Sequence, residues 1–316
     1  LGRVQTPTLA MVCRRYIENR DFSSVPYWKL SVHTEKEGLS IKAVGCKDYE
    51  NEASAQTALA ALRSQSQLTV ESVTRKVTHT APPFLYDLTA LQKDANRRHG
   101  FSADKTLSIA QSLYEKKITT YPRTSSRYIS EDVFEEVPAL LRKIRETLLT
   151  PLNRHSVDNT KVTDHHAIIP TGETPSGLSA DEATVYQMVS NRFVEAFSPD
   201  SEEERMQVRF TDGNSTFTWK ACRQISLGWK AVKKDKVTEA ERKEGDDEQV
   251  LSSLPNLAQS EVLTLLNAEI TEHKTKPKPL YTEAALLSAM ENAGKEVEDA
   301  ESKKAMAECG IGTPAT

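Results

Sequence analysis

The sequence predicts a multidomain protein of α and β structure, in which a β-rich domain is interrupted by a helical insertion. Apolar and polar residues alternate within 26–80, as in half-buried strands, and alternation returns within 200–273. Between these stretches, over 81–199, apolar residues recur at helical spacing. Residues 1–25 and 274–316 carry further helix signals, and we expect them to form a helical base.

Composition places the chain among ordinary globular proteins. Apolar residues make up 38% and charged residues 27% of its 316 residues. The sequence contains no apolar run of the roughly 20 residues that a membrane span needs. The four cysteines are far apart, which favours reduced thiols in a cytoplasmic protein. The chain opens without methionine and ends after Gly-Ile-Gly-Thr-Pro-Ala, so we expect an excised piece of a longer protein.

The first predicted element is a helix near the start of the chain. Thr6 is expected to cap it, with Pro7 at the first helical position, where a missing N–H costs nothing. Its apolar face comprises Leu9, Val12, Cys13, Tyr16 and Ile17.

Strands are then predicted from Tyr27 to His33, from Leu39 to Ala43 and over 68–77, with a short alanine-rich helix at 51–65.

The helical insertion begins after Ala81-Pro82-Pro83, which breaks the strand pattern. Asp87 can cap a helix that Gly100 ends, and Ser102 can cap the next one. The β-prone residues 118–121 follow, so this unit resembles a helix-turn-helix or winged-helix domain. Helical patterns continue at 130–149 and 180–197.

The last third of the chain returns to strands. Alternation is present over 205–232, and 260–272 predicts one more strand. Residues 233–249 are densely charged without an apolar period, which predicts an exposed loop. A Lys/Pro linker at 274–279 leads to a final helix that Thr282 opens.

Charge is distributed unevenly along the chain. The net charge is −4, yet residues 81–130 hold eight basic side chains against four acidic ones. A basic stretch inside an acidic protein can bind phosphates, but a solvated helix face has the same composition. Composition leaves both interpretations open.

The segment Thr120-Tyr121-Pro122-Arg123-Thr124 contains the strongest candidate for chemistry. Proline keeps the residue before it extended, so Tyr121 and Arg123 are expected to face the same side. A phenol has a pKa of about 10 and is a poor nucleophile at neutral pH. A guanidinium beside it would favour phenolate and could hold a phosphate oxygen. The pair suits attack on a phosphodiester, whereas the alternative is a packed tyrosine beside a turn.

Two further segments could contact phosphate. His165 lies in Asp164-His165-His166 and could donate to a phosphate, although a histidine pair in a polar turn is the plain alternative. Arg3 and Gln5 precede a predicted helix N-terminus, which is partly positive and suits an anion. A plain capped helix explains the same residues.

Five segments together resemble the motifs of type IA DNA topoisomerases, in that family's order and over nearly the whole chain. They are LGRVQTPTLA, APPFLYDLTALQKDANRRHGFSADKTLSIAQSLYE, TTYPRTSSRYIS, DHHAIIPT and YTEAALLSAME…GIGTPAT. The DHHAIIPT and YPRT forms look more like the topoisomerase III branch than the topoisomerase I branch. The resemblance implies a toroid core, in which a β-rich arch carries an inserted winged-helix-like helical domain on a helical base.

The resemblance also implies roles for individual residues. Tyr121 matches the nucleophile that forms a 5′-phosphotyrosyl link, Arg123 the arginine that positions the scissile phosphate, and His165 the histidine near the cleavage site. The expected DNA-binding residues are Arg3, Gln5, Gln92, Lys105 and Arg127. The implied substrate is single-stranded or negatively supercoiled DNA, and the implied state is a monomer in the cytoplasm.

The chain departs from the family pattern in two places. Ser125 stands where the family usually has aspartate, which removes a carboxylate there. The family's Mg²⁺-binding domain precedes the GRVQ segment, and the sequence contains no Asp-x-Asp-x-Glu cluster. We therefore expect Mg²⁺ to serve the full-length enzyme, with no cofactor or metal site in this chain, and this chain alone to be inactive.

Two other classes of protein share some of these features. A non-catalytic winged-helix DNA-binding protein explains the basic helical segment, but not Tyr-Pro-Arg or DHHAIIPT. A tyrosine recombinase uses the same nucleophile but needs upstream basic catalytic residues and a C-terminal tyrosine, whereas Tyr121 lies before the middle of the chain. The polarity of the covalent link separates the classes, since it is 5′ for the topoisomerase and 3′ for the recombinase.

Overall fold

A computed structural model describes residues 2, 4–145, 150–162, 164–232, 248–293 and 310–312. Within these residues the chain forms helices at both ends, strands on either side of its middle, and a helical block between the strands. The helices are α1 Gln5–Arg20, α2 Glu52–Arg63, α3 Leu88–His99, α4 Ala103–Glu115, α5 Glu131–Ile144, α6 Ala180–Ala196 and α7 Glu283–Glu291. The strands are β1 Pro26–Lys36, β2 Leu39–Tyr49, β3 Gln67–Thr80, β4 Ser201–Thr211, β5 Thr216–Ser226, β6 Glu248–Val250, β7 Val262–Thr264 and β8 Asn267–Lys274.

The described strands form one sheet, in the order β7-β3-β4-β5-β2-β1-β8, and β6 adds to β5 as a parallel neighbour. β3 pairs antiparallel with the whole of β4 from Thr69 to Thr80, although the entire helical block separates the two strands in sequence. β7 and β8 are at opposite ends of this order but adjacent in the chain, so the sheet must curl. The curl brings β1 to β7, where the Thr34 hydroxyl donates to the Thr264 carbonyl at 2.9 Å.

The concave side of the sheet packs around α2. Leu59 and Leu62 of this helix are buried in the same apolar cluster as strand residues such as Val32, Phe210 and Trp219. Asn51 begins the helix, because its side chain accepts the Ser54 N–H at 2.9 Å. The strands predicted at Tyr27–His33, Leu39–Ala43 and 68–77, and the helix predicted at 51–65, are confirmed.

The helical block contains two apolar cores that share α6. One lies between α3, α4 and α6, and the other between α5 and α6. Asp87 accepts the Ala90 N–H at 2.6 Å and Ser102 accepts the Lys105 N–H at 3.1 Å, so both predicted caps are confirmed. Gly100 ends α3 in the left-handed conformation at φ 66°, also as predicted.

Four sequence expectations differ from the structure. Thr6 does not cap α1, because the helix begins at Gln5 with Val4 before it, and Pro7 is accommodated in a first turn whose N–H groups have no intrahelical partner. Residues 118–121 form an isolated bridge between Thr119 and Pro170 instead of a strand. The strand predicted at 260–272 is divided into β7 and β8.

The loop predicted at 233–249 is described only in part. Residues 233–247 lie outside the described residues, and residues 248 and 249 belong to β6.

The two ends of the chain meet at the helical base. The Arg15 guanidinium of α1 lies 4.1 Å from the centre of the Tyr281 ring and donates to the Tyr281 hydroxyl at 3.0 Å. α7 then packs on α3, where Lys93 pairs with Glu291 at 2.7 Å. The base therefore contacts the helical block directly.

α1 itself has no buried side chain. Leu9 of its predicted apolar face is 63% exposed. None of the helices that the structure describes combines the length and hydropathy needed to cross a bilayer.

Candidate active site

The chain reverses direction between α4 and Tyr121. Lys117 takes a left-handed conformation at φ 62°, directly after the last turn of α4. Its N–H bonds to the Tyr114 carbonyl at 2.8 Å, and the Ile118 N–H bonds to the Leu113 carbonyl at 3.1 Å. This pattern is typical of a helix end that turns the following residue toward the core. Ile118 is buried, so the next three residues start from a fixed point.

Thr120 joins this segment to residues 167–169. Its N–H donates to the Ile169 carbonyl at 2.9 Å, and its hydroxyl accepts the Ile169 N–H at 2.9 Å. The same hydroxyl donates to the Ala167 carbonyl at 3.1 Å. Three hydrogen bonds therefore hold the residue before Tyr121.

The Tyr121 ring is half-buried between two other rings. The Tyr114 ring meets it edge-on, with centroids 5.3 Å apart and planes at 78°. On another side the His165 imidazole lies 4.5 Å away, tilted by 45°. Edge-on and tilted contacts of this kind stabilise ring pairs. The structure therefore brings Tyr121 and His165 together, although 44 positions separate them in the sequence.

The residues after Tyr121 follow an extended path. Pro122, Thr124 and Ser126 are buried, whereas Arg123 and Ser125 are exposed. This period of two is the pattern of an extended chain. The odd-numbered side chains therefore face the accessible side.

Arg123 is exposed and has no ion pair or side-chain hydrogen bond with any other residue in the described part of the chain. Its guanidinium makes no cation–π contact with Tyr121, whose ring contacts are those with Tyr114 and His165. The cation is thus available to an anionic ligand. The sequence had suggested a guanidinium beside the phenol, whereas the contacting group is the imidazole.

The expected DNA-binding residues occupy different environments. Arg3 lies outside the described residues. Gln5 is exposed as the first residue of α1. Gln92 is 7% exposed, and its side-chain amide donates to the Ala103 carbonyl at 3.0 Å, which links α3 to the start of α4.

The two basic residues in that group have acidic partners. Lys105 is exposed, pairs with Asp181 at 2.7 Å and lies 4.1 Å from the centre of the Phe101 ring. Arg127 bonds to Asp87 at 2.7 Å. Burial opposes the charge of Arg127, but Asp87 raises its pKa above the ordinary value.

The described residues offer no fit for Mg²⁺. They contain no group of three or more His, Cys, Asp or Glu side chains that could hold a metal ion. Within the charged run Asp246-Asp247-Glu248, only Glu248 is described, and it belongs to β6.

Several residues of this site gave no signal in the sequence. Thr120 lies in the segment predicted to be β-prone, and neither Tyr114 nor Thr124 was assigned a role in the site. Only the fold shows that Tyr114 contacts Tyr121 and that both threonines bond to the segment containing His165. A hydroxyl on each side of the Tyr-Pro-Arg motif is a pattern that could have indicated the two threonines.

Comparison with known proteins defines the class. The family profile described as DNA topoisomerase matches residues 1–316. The structure is similar to that of full-length topoisomerase I from Thermotoga maritima, with a TM-score of 0.71 and 26% identity, covering 100% of this chain and 49% of that one. The chain therefore belongs to the DNA topoisomerase family, and the predicted fold class is confirmed.

Within the family, the chain is similar to bacterial enzymes named DNA topoisomerase 3. It is 36% identical to DNA topoisomerase 3 of Shouchella clausii (strain KSM-K16) over 337 residues, and 36% identical to DNA topoisomerase 3 of Bacillus subtilis (strain 168) over 338 residues. Each alignment covers 100% of this chain and 45% of the relative. The chain thus spans about half the length of these curated relatives.

Proposed function

We propose that this chain forms the strand-cleaving core of a type IA DNA topoisomerase, which cuts and rejoins single-stranded DNA through Tyr121. The observation that carries the proposal is the placement of Tyr121. Its half-buried ring lies against His165, and the exposed, unpaired Arg123 follows two residues later. A nucleophile, a hydrogen-bond donor and a free cation at one site suit attack on a phosphodiester.

The proposed reaction is a transesterification. The Tyr121 hydroxyl gives up its proton as its oxygen attacks phosphorus, the bond from phosphorus to the 3′ oxygen breaks, and the 3′ oxygen takes up a proton and leaves as a hydroxyl. One proton is released and one is taken up, so the step balances. The product is a 5′-phosphotyrosyl link, which keeps one phosphodiester in place of another, so rejoining needs no ATP. The 3′-hydroxyl reverses the step after another strand has passed through the gap.

Arg123 and His165 are proposed to stabilise charge on the non-bridging oxygens of the phosphate. A positioned donor of this kind is typically worth about 3 kcal/mol of barrier. Mg²⁺ is proposed as a cofactor of the full-length enzyme. Because the described residues do not fit this ion, it is assigned no step here.

The proposed substrate is single-stranded or negatively supercoiled DNA. An unpaired strand has a flexible backbone, which can bend so that one phosphate reaches Tyr121. Gln5 and Lys105 are exposed and remain proposed contacts to this strand, as does Arg3. For Gln92 and Arg127 we propose an indirect role, since their polar groups bond within the protein. We propose that the enzyme acts as a monomer in the cytoplasm, where bacterial DNA lies.

The test uses a chimera in which this chain replaces the matching region of the Bacillus subtilis relative. A single-stranded oligonucleotide is labelled at either end, incubated with Mg²⁺ and the chimera, and trapped with detergent. The 3′ label is expected to stay on the protein and the 5′ label to be released, because the link is to a 5′ phosphate. Retention of the 5′ label instead would indicate a 3′ link, as in a tyrosine recombinase.

Tyr121→Phe should remove the adduct while strand binding persists. The matched control is Tyr128→Phe, which removes a hydroxyl from a nearby half-buried tyrosine and should leave the adduct intact. An adduct that survives in Tyr121→Phe refutes the assignment of the nucleophile. Strand binding by the parent chimera without any adduct would indicate a non-catalytic DNA-binding protein.

A further inference from the structure

The hydroxyl of Thr124 links the nucleophile segment to the histidine segment. Thr124 is 4% exposed. Its hydroxyl donates to the His165 carbonyl at 3.1 Å and accepts the Ser126 N–H at 3.1 Å. Its own carbonyl accepts the Leu88 N–H at 3.1 Å, at the start of α3. Thr124 is therefore anchored to a helix at one end and holds the histidine segment at the other.

The main chain around His165 has few other restraints. Within the described residues, the bond from Thr124 is the only hydrogen bond that reaches the main chain of residues 164–166. The next restraint along the chain is at Ala167, whose N–H donates to the Tyr128 carbonyl at 2.9 Å. The His165 ring is exposed, so burial does not fix it either. Among the hydrogen bonds of the described residues, the one from the Thr124 hydroxyl therefore places the main chain at His165, and the ring itself contacts Tyr121.

Thr120 and Thr124 restrain the site from both sides of the Tyr-Pro-Arg motif. Thr120 bonds to Ala167 and Ile169, while Thr124 bonds to His165. Thr120 lies where backbone hydrogen bonds already join the nucleophile segment to the histidine segment. Thr124 sets the distance between these segments where no backbone bridge exists, next to Tyr121 and His165, which are proposed to act on the phosphate.

We propose that Thr124 is a positioning residue for strand cleavage, which holds the His165 imidazole beside Tyr121 through the His165 carbonyl. This inference rests on the proposed function, because its consequence for rate requires that Tyr121 and His165 act on one phosphate. Thr124 touches neither the strand nor the reacting atoms in this role. It acts by fixing the position of the segment that contains His165 relative to the segment that contains Tyr121.

Thr124→Val has nearly the same shape but lacks the hydroxyl, so it removes both hydrogen bonds. A displacement of about 1 Å at a reacting group can cost around a hundredfold in rate. In the chimera we expect single-turnover cleavage to slow about 10- to 100-fold, with strand affinity unchanged. Thr124→Ser keeps the hydroxyl and should recover most of the rate.

The matched control is Thr34→Val. Thr34 is also buried, and its hydroxyl also donates to a carbonyl, at 2.9 Å, but it lies in the sheet between β1 and β7. This variant should cleave at the rate of the parent. Equal slowing in both valine variants would mean general destabilisation and would overturn the proposal.

A second measurement does not depend on activity. The chain has seven histidines, so selective isotope labelling gives a tractable NMR spectrum, and His165→Gln identifies the His165 signals. Because the His165 ring lies 4.5 Å from the Tyr121 ring, ring currents shift those signals, and Thr124→Val should move them while Thr34→Val leaves them in place. Unmoved His165 signals in Thr124→Val would overturn the proposal.

Failure of the proposed function would look different. In that case the unmodified chimera would form no adduct, while the His165 signals would still report whether Thr124 sets the ring position. A normal cleavage rate in Thr124→Val, with an adduct present, rejects the positioning role alone.

Discussion

Asp87 stabilises the start of α3 in two ways that can be separated by mutation. One carboxylate oxygen accepts the Ala90 N–H at 2.6 Å, and the other accepts the Arg127 side-chain N–H at 2.7 Å. Loss of such a cap costs about 1 kcal/mol. The Asp87 side chain is 9% exposed but that of Arg127 is 37% exposed, so water screens the ion pair, and we assign it about 1 kcal/mol.

These values predict a ranking of variants. Asp87→Ala loses both interactions and should destabilise α3 by about 2 kcal/mol. Asp87→Asn keeps an oxygen for the cap and should lose only about 1 kcal/mol. Arg127→Ala combined with Asp87→Ala completes a double-mutant cycle, in which the coupling should be about 1 kcal/mol.

Native-state hydrogen exchange at the α3 amides is the suitable assay, because a multidomain chain need not unfold in one step. Ser102→Ala removes only the cap of α4 and serves as a control, which should weaken protection in α4 first. Equal losses in Asp87→Asn and Asp87→Ala would refute the assignment of the cap. A coupling of zero would refute the ion pair.

Two further predictions concern the β-rich part of the chain. Gly228 has φ 49°, and a Cβ there would lie 2.1 Å from the Asp200 carbonyl oxygen, so Gly228→Ala should cost about 3 kcal/mol from overpacking and backbone strain. Gly213→Ala, at φ 93° with open space around it, should cost only about 1 kcal/mol, and similar losses of native-state hydrogen-exchange protection in β4 and β5 for the two variants would contradict this reasoning. Burial, together with nearby carboxylates, raises the pKa of the Cys222 thiol to about 11, so iodoacetamide at pH 8 should label it far more slowly than the exposed Cys46. Peptide mass spectrometry measures both rates, and equal labelling would show that Cys222 is accessible as thiolate.

The sequence predicted those features whose causes are local. Asp87 and Ser102 cap helices because each side chain meets an N–H three residues away, and Gly100 ends a helix because it adopts positive φ without strain. The prediction that Thr6 caps α1 also used only a local signal, and it was wrong. The helix begins two residues earlier than predicted, at Gln5, and proline is tolerated throughout a first turn.

The candidate site was predicted in part. The motifs identified Tyr121, Arg123 and His165 as a group, because a family resemblance carries information about distant partners. The alternation of burial from Pro122 to Ser126 was seen only in the structure, because proline restricts the residue before it and not those after it. The roles of these three residues remain proposals that the adduct experiment tests.

Tertiary structure alone decided which groups meet. The contact of His165 with Tyr121, the bond from Thr124 to the His165 carbonyl and the pairing of β3 with β4 all join residues far apart in sequence. It also showed that Arg127 bonds to Asp87. Local propensities describe residues that are close in sequence. They cannot predict these contacts, because the contacts depend on how the whole chain buries its apolar surface. The sequence by itself therefore determined which residues are candidates for the chemistry, and the packing of the fold determined how they are held.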